Sequence, residues 1–336
     1  MSVVRIEPSA SSGSSADRSA PNGPRSRRIG LIFVVMTALG WGLNWPATKF
    51  LVKTCPPLSA RGISGLAAAC VLFGLAALRG ERLAVPGKLW ARLSLASVLN
   101  VSAWMGLTSA SLLWLAAGQA ATLAYTMPVW AALLAWPILS DRPGLRQIAA
   151  IVLGIGGIAI QVGGSGLYLD ATRLPGVALA LSGAMLFALG TVSAKRMPIP
   201  LPRLALTAWQ VFLGSLPLLG AGLWFEHPHF HSLPLIAWLS LAYTALISMG
   251  LCYLLWFAAV SRLRASQAAI GTLLTPVIGV TASSLMLGDP LTLGQTASLA
   301  LVAAGIVLAV KDSPSGTVMP ACSHSILPSR SSRASR

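Results

Sequence analysis

Gln119-Ala120-Ala121-Thr122-Leu123-Ala124-Tyr125-Thr126-Met127-Pro128-Val129 opens a stretch that runs to Val162, and the chain writes this stretch twice. Moved forward 148 positions, Gln119, Ala120, Ala121, Pro128 and Val129 fall on Gln267, Ala268, Ala269, Pro276 and Val277. The same offset carries Leu139, Asp141, Leu145 and Gln147 onto Leu287, Asp289, Leu293 and Gln295, and then Gly157, Ile158 and Val162 onto Gly305, Ile306 and Val310. Matches of small residues are cheap in an Ala-rich chain. A proline, two glutamines and an aspartate held in one register without a gap are harder to dismiss. The chain reads as a duplicated unit.

Composition says what kind of unit is duplicated. Hydrophobic residues make up 55% of the 336 positions, charged residues 10%, and the mean hydropathy is +0.75. A soluble chain carries about 25% charged residues, so too few are present to cover a water-facing surface. Apolar runs of about 20 residues, the length that crosses a bilayer, recur throughout. Without water to satisfy the backbone, such runs form helices. The net charge of +16 invites a nucleic-acid reading, but the basic residues are scattered over tails and short connections rather than gathered in a patch. No nucleic-acid partner is expected. Cys55, Cys70, Cys252 and Cys322 show no metal spacing and imply no disulfide framework.

Ten spans are predicted, near 30–52, 60–78, 93–113, 116–138, 146–163, 174–194, 204–225, 233–258, 265–287 and 294–310. With the amino terminus inside, all of the 24 basic residues except Lys49, Lys53, Arg61 and Arg173 fall on the cytoplasmic side. That asymmetry supports both the count and the orientation, and it places both tails in the cytoplasm. Two similar halves of five spans each must enter the membrane in opposite senses. The fold class expected is therefore an all-α polytopic membrane protein of ten transmembrane helices arranged as two inverted five-helix repeats. Inverted repeats are a recurring construction of secondary transporters, with the substrate site between the halves.

The first span contains Gly40-Trp41-Gly42-Leu43-Asn44-Trp45-Pro46-Ala47-Thr48-Lys49. This resembles the Trp-Gly-x-Asn and trailing Lys pattern of the drug/metabolite transporter superfamily, in its EamA branch. The repeated stretch is similar to that family's fourth and fifth helices of each half, and Pro56-Pro57 with Arg61 also fits. Two departures stand out. Asp141 and Asp289 replace the family's usual Glu, and Phe187-Ala188 with Lys195 is a weak second copy of Trp41-Gly42 with Lys49. The resemblance implies a first EamA-type repeat over 30–163 and a second over 174–311, flanked by a disordered basic tail (1–29) and a disordered carboxyl-terminal tail (312–336). It implies export or exchange of small metabolites such as amino acids or toxic analogues, by alternating access in the cell (inner) membrane. A non-transporting membrane scaffold or sensor is the alternative. A polar, aromatic midplane favours transport; one filled by Leu, Val and Ala favours the scaffold.

Candidate substrate-binding residues follow from polarity at depth. Asn44 lies about 5 Å past the midplane, counting about 1.5 Å per residue, beside a helix that Pro46 deprives of a donor. It either contacts substrate or hydrogen-bonds a neighbouring helix. Trp41 and Trp45 share a face and either line a cavity beside it or form a packing face. Tyr125 and Thr126 precede Pro128, and Thr275 precedes Pro276, where broken helices offer carbonyls to ligands. Tyr253 and Trp256, with Asn100, Trp104 and Gln210, complete the intramembrane set. Lys49, Gln119 and Gln267 read as gate or structural polar residues.

None of the 8 acids falls at mid-membrane, where ion-coupled carriers place carboxylates. Facilitated diffusion or exchange, or coupling without a buried carboxylate, is expected. His227, His229 and His231 cluster in an outer loop, where the reading assigns no metal. No phosphate loop or catalytic constellation appears, so neither an enzyme nor a cofactor is implied. The partners are a small-molecule substrate and the lipid bilayer, the chain acting as monomer or homodimer.

Overall fold

The computed structural model describes residues 24–140, 144–163, 171–228, 233–263 and 265–311, and the described residues are helical with no strand. The first two spans are single helices, α1 (Pro24–Val52) and α2 (Pro57–Leu78). The third joins α3 (Trp90–Ser97) to α4 (Trp104–Ser111) through a π-helical turn at Val98–Ala103. The fourth is α5 (Ala117–Ala124) followed by α6 (Met127–Leu139), and the fifth is α7 (Leu145–Gly163). The sixth and seventh are α8 (Leu174–Arg196) and α9 (Arg203–Ala221). The eighth joins α10 (Leu235–Ala242) to α11 (Cys252–Val260) through a π-helical Tyr243–Leu251. Last come α12 (Ala265–Thr272) with α13 (Leu274–Leu287), then α14 (Leu293–Lys311).

Among the described residues, 8 helices are long and apolar enough to cross a membrane, and Leu274–Leu287 and Leu293–Leu308 are shorter apolar helices. The fourth and the ninth predicted spans are both interrupted. Pro276 has no N–H to give the carbonyl four residues back and crowds it; that carbonyl belongs to Thr272, where α12 stops. Pro128 does the same to Ala124, where α5 stops. α1, by contrast, runs unbroken through Pro46, so the loosening expected beside Asn44 does not take the form of a break.

The repeat shows in the backbone beyond the prolines. Ser140 (φ 57°) closes α6 and Gly288 (φ 72°) closes α13, both left-handed, and the offset that maps Gln119 onto Gln267 maps one onto the other. Glycine takes this conformation freely, whereas serine does so at a cost of about 1–2 kcal/mol. The π-helical turns at Val98–Ala103 and Tyr243–Leu251 also match, each in the third helix of its half.

Equivalent helices of the two halves lie against each other. α2 packs along α9 and α7 along α14. On the first pair, Gly62 meets Leu219 while Gly222 meets Ser59; on the second, Gly157 meets Val302 while Gly305 meets Ala150. Positions that rise on one helix fall on the other, so both pairs run antiparallel. The approach is close enough that a Cβ on Gly62 would sit 2.6 Å from the Leu219 Cα, the small-residue contact that membrane helices use where no hydrophobic force drives them together. α1 lies parallel to α13, with Val34 beside Gly271 and Gly42 beside Thr275 and Ile278.

The described acids tie the halves crosswise. Glu226, after α9, accepts from the backbone N–H groups of Leu58 (3.0 Å) and Ser59 (2.8 Å) and from Ser59 Oγ (2.7 Å) at the start of α2. Glu81, after α2, accepts from Ala205 N–H (2.9 Å) at the start of α9. Asp289, after α13, accepts from Ala117 N–H (3.2 Å) at the start of α5. Helix N-termini leave unpaired donors and a partial positive charge, and each carboxylate meets both. Asp141 lies outside the described residues, as do His229 and His231.

Candidate functional site

α1 is the spine of the site. Its Trp41 indole donates to the Ser248 carbonyl at 2.9 Å, and the ring stands 5.7 Å from Tyr253 and 5.8 Å from Trp256. One turn on, Asn44 Oδ1 accepts from Thr244 Oγ1 at 3.1 Å. Tyr243 donates to Gly40 O at 2.9 Å, and Thr37 Oγ1 reaches Cys252 O at 3.5 Å. A π-helical turn in the eighth span, Tyr243–Leu251, carries Tyr243, Thr244 and Ser248 into this contact, and such turns recur at functional sites. These bonds join the first and eighth spans, which run antiparallel. The structure thus places Asn44 in a bond to a neighbouring helix.

One turn further along the same face of α1, Trp45 is 8% exposed and faces Tyr125, ring centroids 6.4 Å apart. Gly279 makes room for it, since a Cβ there would lie 3.1 Å from the Trp45 Cδ1. The Tyr125 hydroxyl interacts with Thr275 and Trp45, yet Thr275 Oγ1, fully buried, makes no hydrogen bond of good geometry. Thr126 is buried behind the break, where its hydroxyl donates to Leu123 O (2.6 Å) and accepts from Trp130 (3.2 Å). Trp41, Asn44, Trp45, Tyr125, Tyr253, Trp256 and Thr275 therefore gather where α1 meets the fourth, eighth and ninth spans, with Thr126 turned away.

The polar residues read as gate or structural lie at helix ends. Lys49 Nζ donates to Leu112 O and, at 2.9 Å, to Leu115 O, below the carboxyl end of α4. A cation there meets the negative end of a helix. Gln119 Oε1 accepts from Ala116 N–H at 3.3 Å at the head of its own helix. Gln267, with its amide oxygen toward α1, accepts from Arg27 Nη2 at 3.1 Å and Nε at 3.2 Å. In the turn between α1 and α2, burial first and Glu226 second push the Cys55 thiol up to about 11, which keeps it protonated and unreactive at neutral pH.

A cleft of about 60 Å³ opens between the third, sixth and seventh spans, at the end of the bundle where Arg27 meets Gln267. Arg92, Leu99, Gly190, Ser193, Met197 and Gln210 are among its lining residues. Beside it Gly190 lies against Asn100 Oδ1, which is buried without a hydrogen bond. α8 and the third span run antiparallel here too, with Gly176 beside Ser111, Gly183 beside Thr108 and Gly190 beside Asn100. Among the described residues no side-chain hydrogen bond joins them.

Reading the sequence missed three groups. Tyr243, Thr244 and Ser248 were visible only as scattered polar residues in an apolar run. The acidic caps had no local signal. Arg61 was placed at the outward start of the second span without partners, and it is a buried residue of α2, 8% exposed, bonded to Ser109 Oγ (2.5 Å) and Thr48 Oγ1 (3.0 Å). Its available signal was the setting Leu58-Ser59-Ala60-Arg61-Gly62, where small neighbours allow other helices close.

A helical bundle with this span count and a polar, aromatic junction at its centre has the build of a multi-pass membrane transporter. Residues 28–163 and again 174–311 match the EamA-like transporter family. The chain belongs to that family. It is 30% identical over 291 residues to an uncharacterized transporter, YvbV, of Bacillus subtilis, covering 85% of this chain and 92% of that one. A probable amino-acid metabolite efflux pump of Salmonella typhimurium is 27% identical, over 85% of this chain and 95% of its own. A probable terminal-alkyne amino-acid exporter of Streptantibioticus cattleyicolor is 28% identical, over 76% and 84%. A solved crystal structure with 16% identity matches at a TM-score of 0.60, covering 85% of this chain and 96% of its own, and bears on the fold alone.

Proposed function

We propose that this chain exports small metabolites, amino acids and their analogues foremost, by alternating access at a site between two inverted five-helix repeats in the cell (inner) membrane. The inequality of two equivalent contacts carries the reading. The first span is bonded to the eighth by Trp41, Asn44, Tyr243 and Thr37, whereas the sixth meets the third through glycines and leaves a cleft. With the positive-inside orientation, the bonded contact closes the outer side and the cleft opens to the cytoplasm. Exchange of the two arrangements would open the same junction outward. The antiparallel pairing of α2 with α9 and of α7 with α14 supports the inversion.

The substrate would lie at the junction of Trp41, Asn44, Trp45, Tyr125, Tyr253, Trp256 and Thr275. Aromatic walls and a few placed polar groups suit a small amphiphile, and this favours transport over a scaffold. The amino-acid names of two relatives direct the choice of first solutes. The test is a sensitivity and efflux screen of deletion and overexpression cells against amino acids and analogues. Overexpression should raise tolerance and speed efflux of at least one solute, and Asn44→Ala with Trp41→Ala should remove the effect. No change for any solute would sink the proposal. Because none of the described acids lies mid-span, an imposed pH gradient should drive reconstituted transport weakly; strong driving would overturn the uncoupled mode.

A further inference from the structure

Arg61 is a buried cation without a counter-charge among the described residues. Its Nε donates to Ser109 Oγ and its Nη2 to Thr48 Oγ1, both neutral hydroxyls. The described acids are engaged elsewhere: Glu226 on Leu58 and Ser59, Glu81 on Ala205 and Asp289 on Ala117. A guanidinium held away from water by hydroxyls alone is costly. Ionisable groups inside a membrane bundle mark the path of a ligand when no protein partner accounts for them.

The unused donors have a shape. Nη1 and the remaining hydrogen of Nη2 have no acceptor among the described residues. Side by side, they form the end-on fork that takes both oxygens of a carboxylate. Thr48, which holds the guanidinium, lies one helical turn from Trp45 on the same face of α1. Trp45 meets Tyr125, whose hydroxyl reaches toward Thr275. The cation, held at Thr48, and the aromatic wall at Trp45 thus lie one turn of α1 apart.

We infer that Arg61 binds the carboxylate of the transported solute, so that the substrates are small monocarboxylates bearing an apolar or aromatic group, such as α-amino acids with a free carboxylate. Neutral and cationic amphiphiles are excluded by the same feature, since they leave the cation buried and unpaired. The inference rests on the transport reading above.

The test uses the purified full-length protein and matched probes. Thermal stabilisation by L-phenylalanine and L-leucine is compared with that by their amides, and counterflow of a mixture of L-amino acids is followed in proteoliposomes. The wild type should bind the carboxylates at least about tenfold more tightly than the amides. Arg61→Gln should weaken the carboxylates about 10- to 100-fold, the range for a hydrogen bond to a charged group. Arg61→Lys should recover part of this. Unliganded Arg61→Gln should melt no lower than wild type, because a lone buried charge is removed. Amides that bind as well as the acids, or an Arg61→Gln protein that binds like wild type, would overturn the inference. If Arg61→Gln does not fold, the acid–amide comparison on the wild type decides alone. Movement of neutral or cationic solutes without binding of carboxylates sinks the inference and leaves the transport reading standing. If no solute of any class moves, both fall.

Discussion

The first span meets the eighth, and the sixth meets the third, at corresponding places in the two halves, yet the two contacts are made of different material. One is a line of hydrogen bonds from Thr37 through Trp41 to Asn44, received by a π-helical stretch. The other is a line of glycines, Gly176, Gly183 and Gly190, with Asn100 facing the last of them and its Oδ1 without a hydrogen bond among the described residues. Both sides carry a π-helical turn and an asparagine. In the first half the asparagine stands on the first helix and finds Thr244. At the other contact the polar residue, Asn100, stands on the third helix of that same half and finds a glycine of the second. A duplicated backbone therefore need not give duplicated chemistry: side-chain substitution alone makes one contact firm and the other loose.

That contrast can be attacked where the effects are largest. Gly190→Leu drives a side chain into Asn100 and the adjacent Leu99, and overpacking of this kind costs about 1–3 kcal/mol. Purified variant protein should melt lower and lose most efflux; unchanged melting would mean that the glycine contact is already open. The crosswise caps come next. Glu226→Gln disturbs three accepted bonds and Glu81→Gln one, so the first should cost about 1–2 kcal/mol and the second less, by the scale of N-cap losses. Thermal unfolding of the pair gives the order, and a reversed order would break the assignment of Glu226 as the stronger tie.

The bonded contact yields a smaller number. A double-mutant cycle of Asn44→Ala and Thr244→Val should show coupling of about 0.6 kcal/mol, reaching about 1.7 at most, as for interhelical bonds in lipid. Stability in mixed micelles measures it, and additive single effects would mean the bond contributes nothing. Smallest of all is Asn100→Ala. Removing an acceptor that has no donor should leave stability unchanged or slightly raised, whereas Asn44→Ala should lower it. Equal losses at the two asparagines would erase the contrast.

Features that depend on local sequence were legible in advance. The spans follow from hydropathy over about 20 residues, and the interrupted fourth and ninth helices follow from Pro128 and Pro276, which act on the carbonyl four residues back. Trp41, Asn44, Trp45, Tyr125 and Thr275 were singled out by polarity at depth, and the structure sets them around one stretch of α1. What was hidden depends on partners distant in the chain. Arg61 read as an outward-facing cation at the head of the second span, because hydropathy cannot see that Ser109 and Thr48 receive it. Lys49 was read as a gate or structural residue, but its partners, carbonyls at the carboxyl end of the third span, had no local signal. Glu81, Glu226 and Asp289 looked like acids of short connections, and nothing nearby marks them as caps for the opposite half.

Those crosswise caps also set a sequence of events during synthesis. The head of α2 at Leu58 is finished by an acid 168 residues further along, and the head of α5 at Ala117 by one 172 residues further along. The head of α9 at Ala205 finds Glu81 already made. A ribosome therefore delivers a first half whose helix ends must wait, exposed to headgroups and water, and a second half that can dock as it emerges. The early half is the vulnerable one: a truncated chain would keep its spans but not its closures, and would lack the means to hide them.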